Sequence, residues 1–194
     1  MNLPVLNIIL PGILLVALML IIFYFVYLFN RLFRYRNASE ANLGQIQVAM
    51  KKRLDMLEQL LGVVRSYVRY EREVFENVTR MRATIMEAGV NGLEEIDRES
   101  RSLFGSLRAV AENYPELKAN ETVSALMDAI VSVEEEIARH RYTYNNIVQE
   151  YNTMLDMIPS NLVGKMAGLE KLSYLQFEEE IEKAPVVEGI TRNE

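Results

Sequence analysis

The 194-residue chain has a composition that favours helices, because half of its residues are hydrophobic while glycine (9) and proline (5) are scarce. It contains no cysteine, which excludes disulfides, thiolate metal sites and thiol chemistry. Its net charge of −6 argues against a general nucleic-acid surface, since phosphate binding needs a basic field. These properties predict an all-α protein without a nucleic-acid partner.

The first thirty residues contain an uninterrupted apolar run, GILLVALMLIIFYFVYLF, from Gly12 to Phe29. At about 1.5 Å per residue this run spans roughly 27 Å as a helix, which is close to the hydrocarbon thickness of a bilayer. The segment lacks the basic start and the small-residue cleavage site of a signal peptide. We therefore expect an uncleaved anchor in residues 1–30, with a transmembrane helix over about 8–29 and the lipid bilayer as a partner.

Three arginines, Arg31, Arg34 and Arg36, define a basic juxtamembrane segment over residues 31–37. The N-terminal flank MNLPVLN carries no charged side chain. Because basic flanks are retained on the cytoplasmic side, we expect a single-pass protein of the cell (inner) membrane, with its short N-terminus outside and its helical domain in the cytoplasm. The alternative is that these arginines lie among lipid headgroups on either side.

Residues 38–183 are predicted to form a helical bundle, because apolar residues recur there in steps of three and four. Glycine and proline divide the region into four predicted helices, over residues 38–87, about 93–112, from about 115 or 120 to 157, and about 160–183. The tail, residues 184–194, has too little apolar content to become ordered. The predicted fold is an N-terminal transmembrane helix followed by an up-and-down four-helix bundle with long antiparallel helices.

The predicted helix lengths do not match, since the first is about twice as long as the second. In a simple alternating bundle, the membrane-proximal half of the first helix would therefore lack partners. Either the third helix covers this half in another way, or a second subunit does. A homo-oligomer is consequently one of two open expectations.

Several other side chains have simple structural interpretations. The acidic runs 134–136 and 178–180 are expected to form solvated helix faces. His140 is the only histidine, and we expect it to pack in the bundle rather than bind a metal, because a di-iron bundle needs two Glu-x-x-His elements. No metal or cofactor is predicted. The following methionines are expected to fill gaps in the core: Met50, Met56, Met81, Met86, Met154, Met157 and Met166.

The dipeptide Tyr-Asn occurs twice at an interval of seven residues, as Tyr144-Asn145 and Tyr151-Asn152. Seven helical residues turn through about 700°, so equivalent side chains point the same way within roughly 20°. The tyrosines lie on the apolar stripe and the asparagines flank it. We expect the tyrosines to pack inward and the asparagines to bond a facing helix. A Tyr/Asn-lined groove for a ligand or peptide is the alternative.

Glu71 interrupts the apolar stripe of the first predicted helix at an inward position. An inward carboxylate is costly unless it is paired or hydrogen-bonded. Counting back from the turn at residues 89–92 brings Glu71 near Arg108, with Lys118 and Asn120 as further candidate partners. We expect a structural ion pair or a hydrogen-bonded carboxylate, and a catalytic carboxylate is the alternative.

A set of motifs occurs together along the chain. AENYPELKAN, over residues 111–120, precedes the two Tyr-Asn pairs, which are followed by Pro159 and Gly168. Arg141, three residues before the first pair, also fits the pattern. This combination resembles the LemA family of membrane-anchored helical proteins, and the resemblance covers nearly the whole chain.

The resemblance implies an N-terminal anchor, a four-helix up-and-down domain and no established enzyme activity, in a family whose molecular role is poorly defined. Three positions depart from the family pattern. Ile158 and Leu169 replace the usual Phe but keep apolar volume. Glu135 replaces an expected Asn, so a hydrogen bond that depends on that amide is in doubt.

We expect a membrane-anchored, non-enzymatic helical scaffold or interaction protein of the cell envelope, with other proteins as partners. The chain combines an anchor with a sustained bundle pattern, and it contains no GxSxG, P-loop or paired-glycine dinucleotide motif. The alternative is a ligand-binding or catalytic module that uses an inter-helical pocket with Glu71 and the Tyr/Asn repeat. It requires a roomy concave site on which several polar groups converge.

Overall fold

The computed structural model describes residues 3–67 and 72–176, with side chains from residue 10 onwards. Within these ranges all regular secondary structure is helical, which confirms the all-α class. The elements in chain order are α1 (Leu3–Val64), α2 (Arg72–Thr84), a 3-10 turn (Ile85–Glu87), α3 (Val90–Asn113), α4 (Pro115–Lys118), α5 (Glu121–Asp156) and α6 (Ser160–Met166).

Helix α1 is one continuous helix of 62 residues that includes both the apolar run and the first helix of the bundle. The side chains of the apolar run are largely exposed, and the first buried ones are Leu28 and Leu32. Within the described ranges, α1 is the one helix that is long and apolar enough to cross a membrane. Because its helical hydrogen bonding continues from one part to the other, a stiff connection joins the candidate membrane span to the bundle.

The first bundle helix is shorter than predicted, because the chain leaves the helix after Val64 instead of continuing to Glu87. The amides of Ser66 and Tyr67 donate to carbonyl oxygens three residues earlier, which tightens the last turn. The hydroxyl of Ser66 also donates to a carbonyl oxygen three residues earlier, at 2.6 Å, and so competes with helix continuation. The single predicted helix over 38–87 is therefore wrong in this detail.

Helix α2 packs back on α1 and is tied to it by an arginine. The guanidinium of Arg82 binds the carboxylates of Asp55, at 2.6 Å, and Glu58, both on α1. The main core lies between α1, α3 and α5, with α2 and the 3-10 turn closing one side. Fully buried members of this core include Leu54, Leu57, Leu61, Leu107, Ile130 and Ile137.

Helices α1 and α5 form a long antiparallel pair. Arg53 of α1 binds Glu134 in the first half of α5, whereas Leu28 and Leu32 lie in one buried cluster with Tyr151 near the end of α5. Helix α5 has 36 residues and thus covers α1 as far as the membrane-proximal end of the bundle. This cover resolves the length mismatch within one chain, and a second subunit is not needed for it.

The fourth predicted helix is also shorter, since α6 ends at Met166 rather than near residue 183. The amide of Leu169 donates to the carbonyl oxygen of Gly164 at 2.9 Å, and Gly168 adopts φ of 63°. This left-handed closure stops the helix, and glycine adopts it without the steric cost of a side chain. Residues 169–176 then form a non-helical segment that we call the strap. The predicted helix beyond residue 176 lies outside the described residues.

Candidate functional site

The asparagines of the Tyr-Asn repeat bind the main chain of the strap. Asn152 Nδ2 donates to the carbonyl oxygen of Leu172, and the amide of Leu172 donates to Asn152 Oδ1, both at 2.9 Å. Asn145 makes the same two bonds with the carbonyl oxygen and the amide of Leu175, again at 2.9 Å. Each side-chain amide therefore uses both its donor and its acceptor on one strap residue. We call these four bonds the Asn latch.

The distance along α5 between the two asparagines of the repeat fits a partner segment with an extended backbone. Asn145 and Asn152 are separated by about 10.5 Å along the helix axis, at about 1.5 Å per residue. Their partners Leu172 and Leu175 are three residues apart, and a nearly extended backbone at about 3.3 Å per residue is needed to cover this distance. The repeat thus holds a strand-like segment of the same chain, where the sequence had suggested a facing helix.

Both tyrosines of the repeat point inward, and Tyr144 adds a fifth bond to the strap. Tyr144 and Tyr151 are almost fully buried. The hydroxyl of Tyr144 donates to the carbonyl oxygen of Ser173 at 3.1 Å, between the two residues of the Asn latch. Burial raises the pKa of the Tyr144 hydroxyl above its usual value, so the group stays protonated and able to donate.

The strap closes one side of the bundle. Leu175 is buried in the main core, and Leu172 packs against both this core and the membrane-proximal cluster. At the end of the strap, the amide of Gln176 donates to Glu94 of α3 at 2.7 Å. The strap therefore connects α5 to α3, and the polar side-chain atoms of Tyr144, Asn145 and Asn152 hold it on α5.

A buried ion network joins α1, α3 and α5 near the middle of the bundle. Arg53 is completely buried, and its Nη2 lies 2.8 Å from Asp97 Oδ1 and 2.6 Å from Ser100 Oγ. Its Nη1 lies 3.1 Å from Glu134 Oε1. Arg101 binds the other oxygens of both carboxylates, at 2.8 Å from Asp97 Oδ2 and 3.1 Å from Glu134 Oε2. Two arginines and two carboxylates thus alternate in a closed ring whose formal charges cancel.

Sequence reasoning missed this network and assigned Glu134 to a solvated face, which the structure corrects. A signal was present, since Arg53 lies three residues after Met50 and four before Leu57, a spacing that puts all three on one helix face. The apolar stripe alone does not reveal this position, because a basic side chain is normally expected on the solvated face. A different pairing of the helices would leave a buried charge without a counterion, so the network favours this arrangement of α1, α3 and α5.

The remaining candidates occupy separate places. Asn120 is the N-cap of α5, and its Oδ1 accepts from the amides two and three residues later, at 2.9 and 3.3 Å. Arg108 is exposed and pairs with a glutamate one turn later in α3, at 3.3 Å. Glu71 lies outside the described residues, so its pairing with Arg108 stays a prediction. Arg141 is half-buried on α5, and Pro159 is the N-cap residue of α6.

The juxtamembrane arginines lie on α1 just beyond the apolar run. Arg31 places its guanidinium 5.7 Å from the centre of the Tyr35 ring, a cation–π contact. Arg34 is exposed, and Arg36 pairs with Glu40 at 3.5 Å. All three continue the helix, so the basic segment is part of the stiff connection between the apolar run and the bundle.

An open cleft of about 580 Å³ lies beside the strap, between α1 and the start of α3. Its ionisable side chains are already paired, Glu40 with Arg36 and Lys171 with Asp156. In the described part of the chain, no group of three or more His, Asp or Glu side chains could hold a metal ion. The cleft therefore provides a concave surface, and its acidic and basic side chains are in ion pairs instead of being available as reactive groups. It is lined by Ser39, Glu40, Leu43, residues 89–92, Tyr144 and residues 171–173.

These features define an all-helical protein in which an N-terminal candidate membrane span continues into an antiparallel bundle. The model of the LemA family matches residues 42–188, which is more than half of the chain, and the chain belongs to this family. The resemblance that the motifs indicated is thereby confirmed.

Two named kinds of relative match the chain. Protein LemA of Metamycoplasma hominis is 29% identical over 176 residues, covering 89% of this chain and 80% of that relative. Magnetosome protein MamQ 2 of Paramagnetospirillum magneticum is 22% identical over 165 residues, covering 71% of this chain but 61% of that relative. Magnetosome protein MamQ of Magnetospirillum gryphiswaldense is 20% identical over 163 residues, covering 70% and 60%. The chain thus spans about three fifths of the MamQ relatives. The family and the candidate span together define a membrane-associated helical protein.

Proposed function

We propose that this LemA-family protein is a membrane-anchored, non-enzymatic scaffold that presents its helical bundle to protein partners of the cell envelope. Residues 1–30 form the anchor, which crosses the inner membrane once. Residues 38–183 form the interacting domain. The basic flank formed by Arg31, Arg34 and Arg36 supports a topology with the N-terminus outside and the bundle in the cytoplasm.

The continuity of α1 carries this proposal. One helix forms the candidate span and then continues as the central helix of the bundle, with buried side chains from Leu28 to Val64. A flexible linker would let a domain search the cytoplasm, whereas a continuous helix holds it at a set distance from the bilayer. Such an arrangement suits a protein that positions partners near the membrane.

The catalytic or ligand-binding alternative draws no support from the Tyr/Asn repeat. The polar atoms of Asn145, Asn152 and Tyr144 all bond the strap. The buried charges around Arg53 neutralise one another. A reactive site needs polar groups that converge on a space open to substrate, and these groups converge on the protein's own chain.

Two exposed side chains, one on α1 and one on α5, mark the positions at which we place partner contacts. Val48 on α1 is exposed, and Tyr142 on α5 is 71% exposed. In the antiparallel register set by Arg53 and Glu134, the two lie at levels that differ by about one helical turn. Tyrosine and other aromatic side chains are enriched at protein interfaces.

Photo-crosslinking in native membranes tests the proposal. A photoreactive amino acid replaces Val48 or Tyr142 in the full-length protein at native expression, and the same residue at Glu112, exposed on α3, is the control. We expect a reproducible foreign protein to be captured at the first two positions and not at the control. Capture of the protein by itself alone would contradict a partner scaffold and identify a homo-oligomer.

A further inference from the structure

The segment formed by the turn after α5 and helix α6 exposes large apolar side chains, among them Met157 and Met166, which were expected to fill gaps in the core. We call residues 157–166 the knuckle. Ile158 is 81% exposed and Met166 is 86% exposed, and Met157 and Leu162 are exposed as well. Large apolar side chains that are exposed together on one short segment mark a contact with something outside the domain.

The knuckle is a fixed part of the fold. Val163 and Gly164 are buried, and Val163 lies in the membrane-proximal cluster with Leu28 and Leu32. A Cβ atom on Gly164 would collide with the side chain of Leu155, so α6 packs closely on α5 at this point. The exposed side chains therefore project from a packed element, and their exposure is not that of a loose end.

The helix register places the knuckle at the end of the apolar run. Arg53 of α1 is bonded to Glu134 of α5, which runs antiparallel to it. Counting 24 residues backwards from Arg53 and forwards from Glu134 leads to Phe29 on α1 and to Ile158, two residues past the end of α5. Both lie roughly 36 Å from the ion pair at about 1.5 Å per residue, so Ile158 is level with the last residue of the apolar run.

The composition of the knuckle suits the boundary between hydrocarbon and headgroups. Its sequence, MIPSNLVGKM, contains no acidic residue, and Lys165 is its one charged residue. At the same level, α1 presents Arg31 and Arg34 after the exposed aromatics Tyr24 and Tyr27. Apolar side chains beside lysine, arginine and tyrosine are typical of membrane interfaces, where the apolar part enters lipid and the polar part stays in the headgroups.

We propose that the knuckle is a second membrane contact, in which Met157, Ile158, Leu162 and Met166 enter the lipid where α1 leaves the bilayer. The partner is a lipid surface, and the contact is continuous with the candidate span. It goes beyond the scaffold role, because it sets the orientation of the bundle whatever protein the bundle binds. It is also independent of which side of the membrane the bundle occupies.

The depth of spin labels in nanodiscs tests this contact. The chain has no cysteine, so Ile158→Cys, Met166→Cys and the control Tyr142→Cys each give one labelling site in the full-length protein. Tyr142 is also highly exposed but lies 16 residues before Ile158, roughly 24 Å farther from the membrane. We expect the ratio of collisions with oxygen to collisions with a water-soluble nickel chelate to be several-fold higher at 158 and 166 than at 142.

Alkylation of the unlabelled thiols with a charged maleimide is the second measurement, because a small thiol cannot itself drive insertion. We expect the thiols at 158 and 166 to react several-fold more slowly than the thiol at 142 in phosphatidylcholine and phosphatidylglycerol nanodiscs. Equal collision ratios and equal reaction rates at the three positions would overturn the proposal. Low collision rates with both oxygen and nickel at 158 and 166 would also overturn it, since protein, such as a second copy, would then cover the knuckle.

Discussion

Removing the Asn latch should free the strap while the rest of the bundle stays folded. The perturbation is Asn152→Ala, alone and combined with Asn145→Ala. Asn152 makes two hydrogen bonds with Leu172, and each contributes about 1 kcal/mol net, so the single variant should lose about 2 kcal/mol of strap stability. The double variant loses all four bonds and should lose about 4 kcal/mol.

In the double variant the strap keeps the burial of Leu175 and the hydrogen bond from Tyr144, but the backbone groups of Leu172 and Leu175 lose their partners on α5. The strap of the double variant should therefore detach from α5. The core between α1, α3 and α5 does not depend on these bonds and should remain folded.

Detachment of the strap can be measured by hydrogen exchange at two amides, because the amides of Leu172 and Leu175 donate to the two asparagine side chains. In Asn152→Ala the Leu172 amide loses its acceptor and should exchange as an unprotected group, whereas a loss of about 2 kcal/mol of strap stability should speed exchange of the Leu175 amide about 30-fold. In the double variant both amides should exchange as unprotected groups. Asn146→Ala, at an exposed position of the same helix, is the matched control and should leave both rates unchanged. Wild-type exchange rates in the double variant would refute the role assigned to the latch.

Three further changes test other features of the fold. Arg53→Met leaves Asp97 buried without its main counterion and should lower the free energy of unfolding in urea by about 3–5 kcal/mol. The double variant Arg53→Met with Asp97→Leu should recover most of the lost stability. Wild-type stability of the single variant would contradict the network. Gly168→Ala puts a side chain on a left-handed residue with φ of 63° and should cost about 1–2 kcal/mol, and an unchanged urea midpoint would contradict that conformation. Burial raises the pKa of Tyr144, so its contribution to stability is full below about pH 10 and is lost as pH rises through the folded pKa. Wild type should therefore lose stability more steeply than Tyr144→Phe above that pH, and parallel curves would contradict a buried hydroxyl.

Apolar periodicity, together with the proline, glycine and capping residues that end helices, predicted the long helices well, because these signals are local. The apolar steps that define α5 persist from Val123 to Leu155, and Asn120 and Pro159 lie next to its two ends. The helical region near residues 93–112 was placed within a few residues of α3. The sequence does not predict the turn after Val64, because no proline or strong turn motif marks it. Hydrogen bonds to carbonyl oxygens three residues earlier end the helix there.

The strap and the ion network could not be found in the same way, because their partners are distant in sequence. The bonds of Asn145 join residues 30 positions apart, and those of Arg53 reach 44 and 81 positions along the chain. The interval of seven residues showed that the asparagines share a face, but it did not show whether a helix or an extended segment lies against that face. Leu172, read as part of a helical stripe, belongs to that extended segment.

The uninterrupted helix α1 also makes the bundle sensitive to the thickness of the bilayer. From Phe29 to Val64 the helix extends for 35 residues, roughly 52 Å at about 1.5 Å per residue. Apolar helices tilt until their length fits the hydrocarbon layer, and a change in tilt of about ten degrees displaces the far end of this rod by roughly 9 Å. A thinner membrane would thus move the distal surfaces of the bundle sideways and closer to the lipid. The thickness of the bilayer would then set how far these surfaces lie from the membrane.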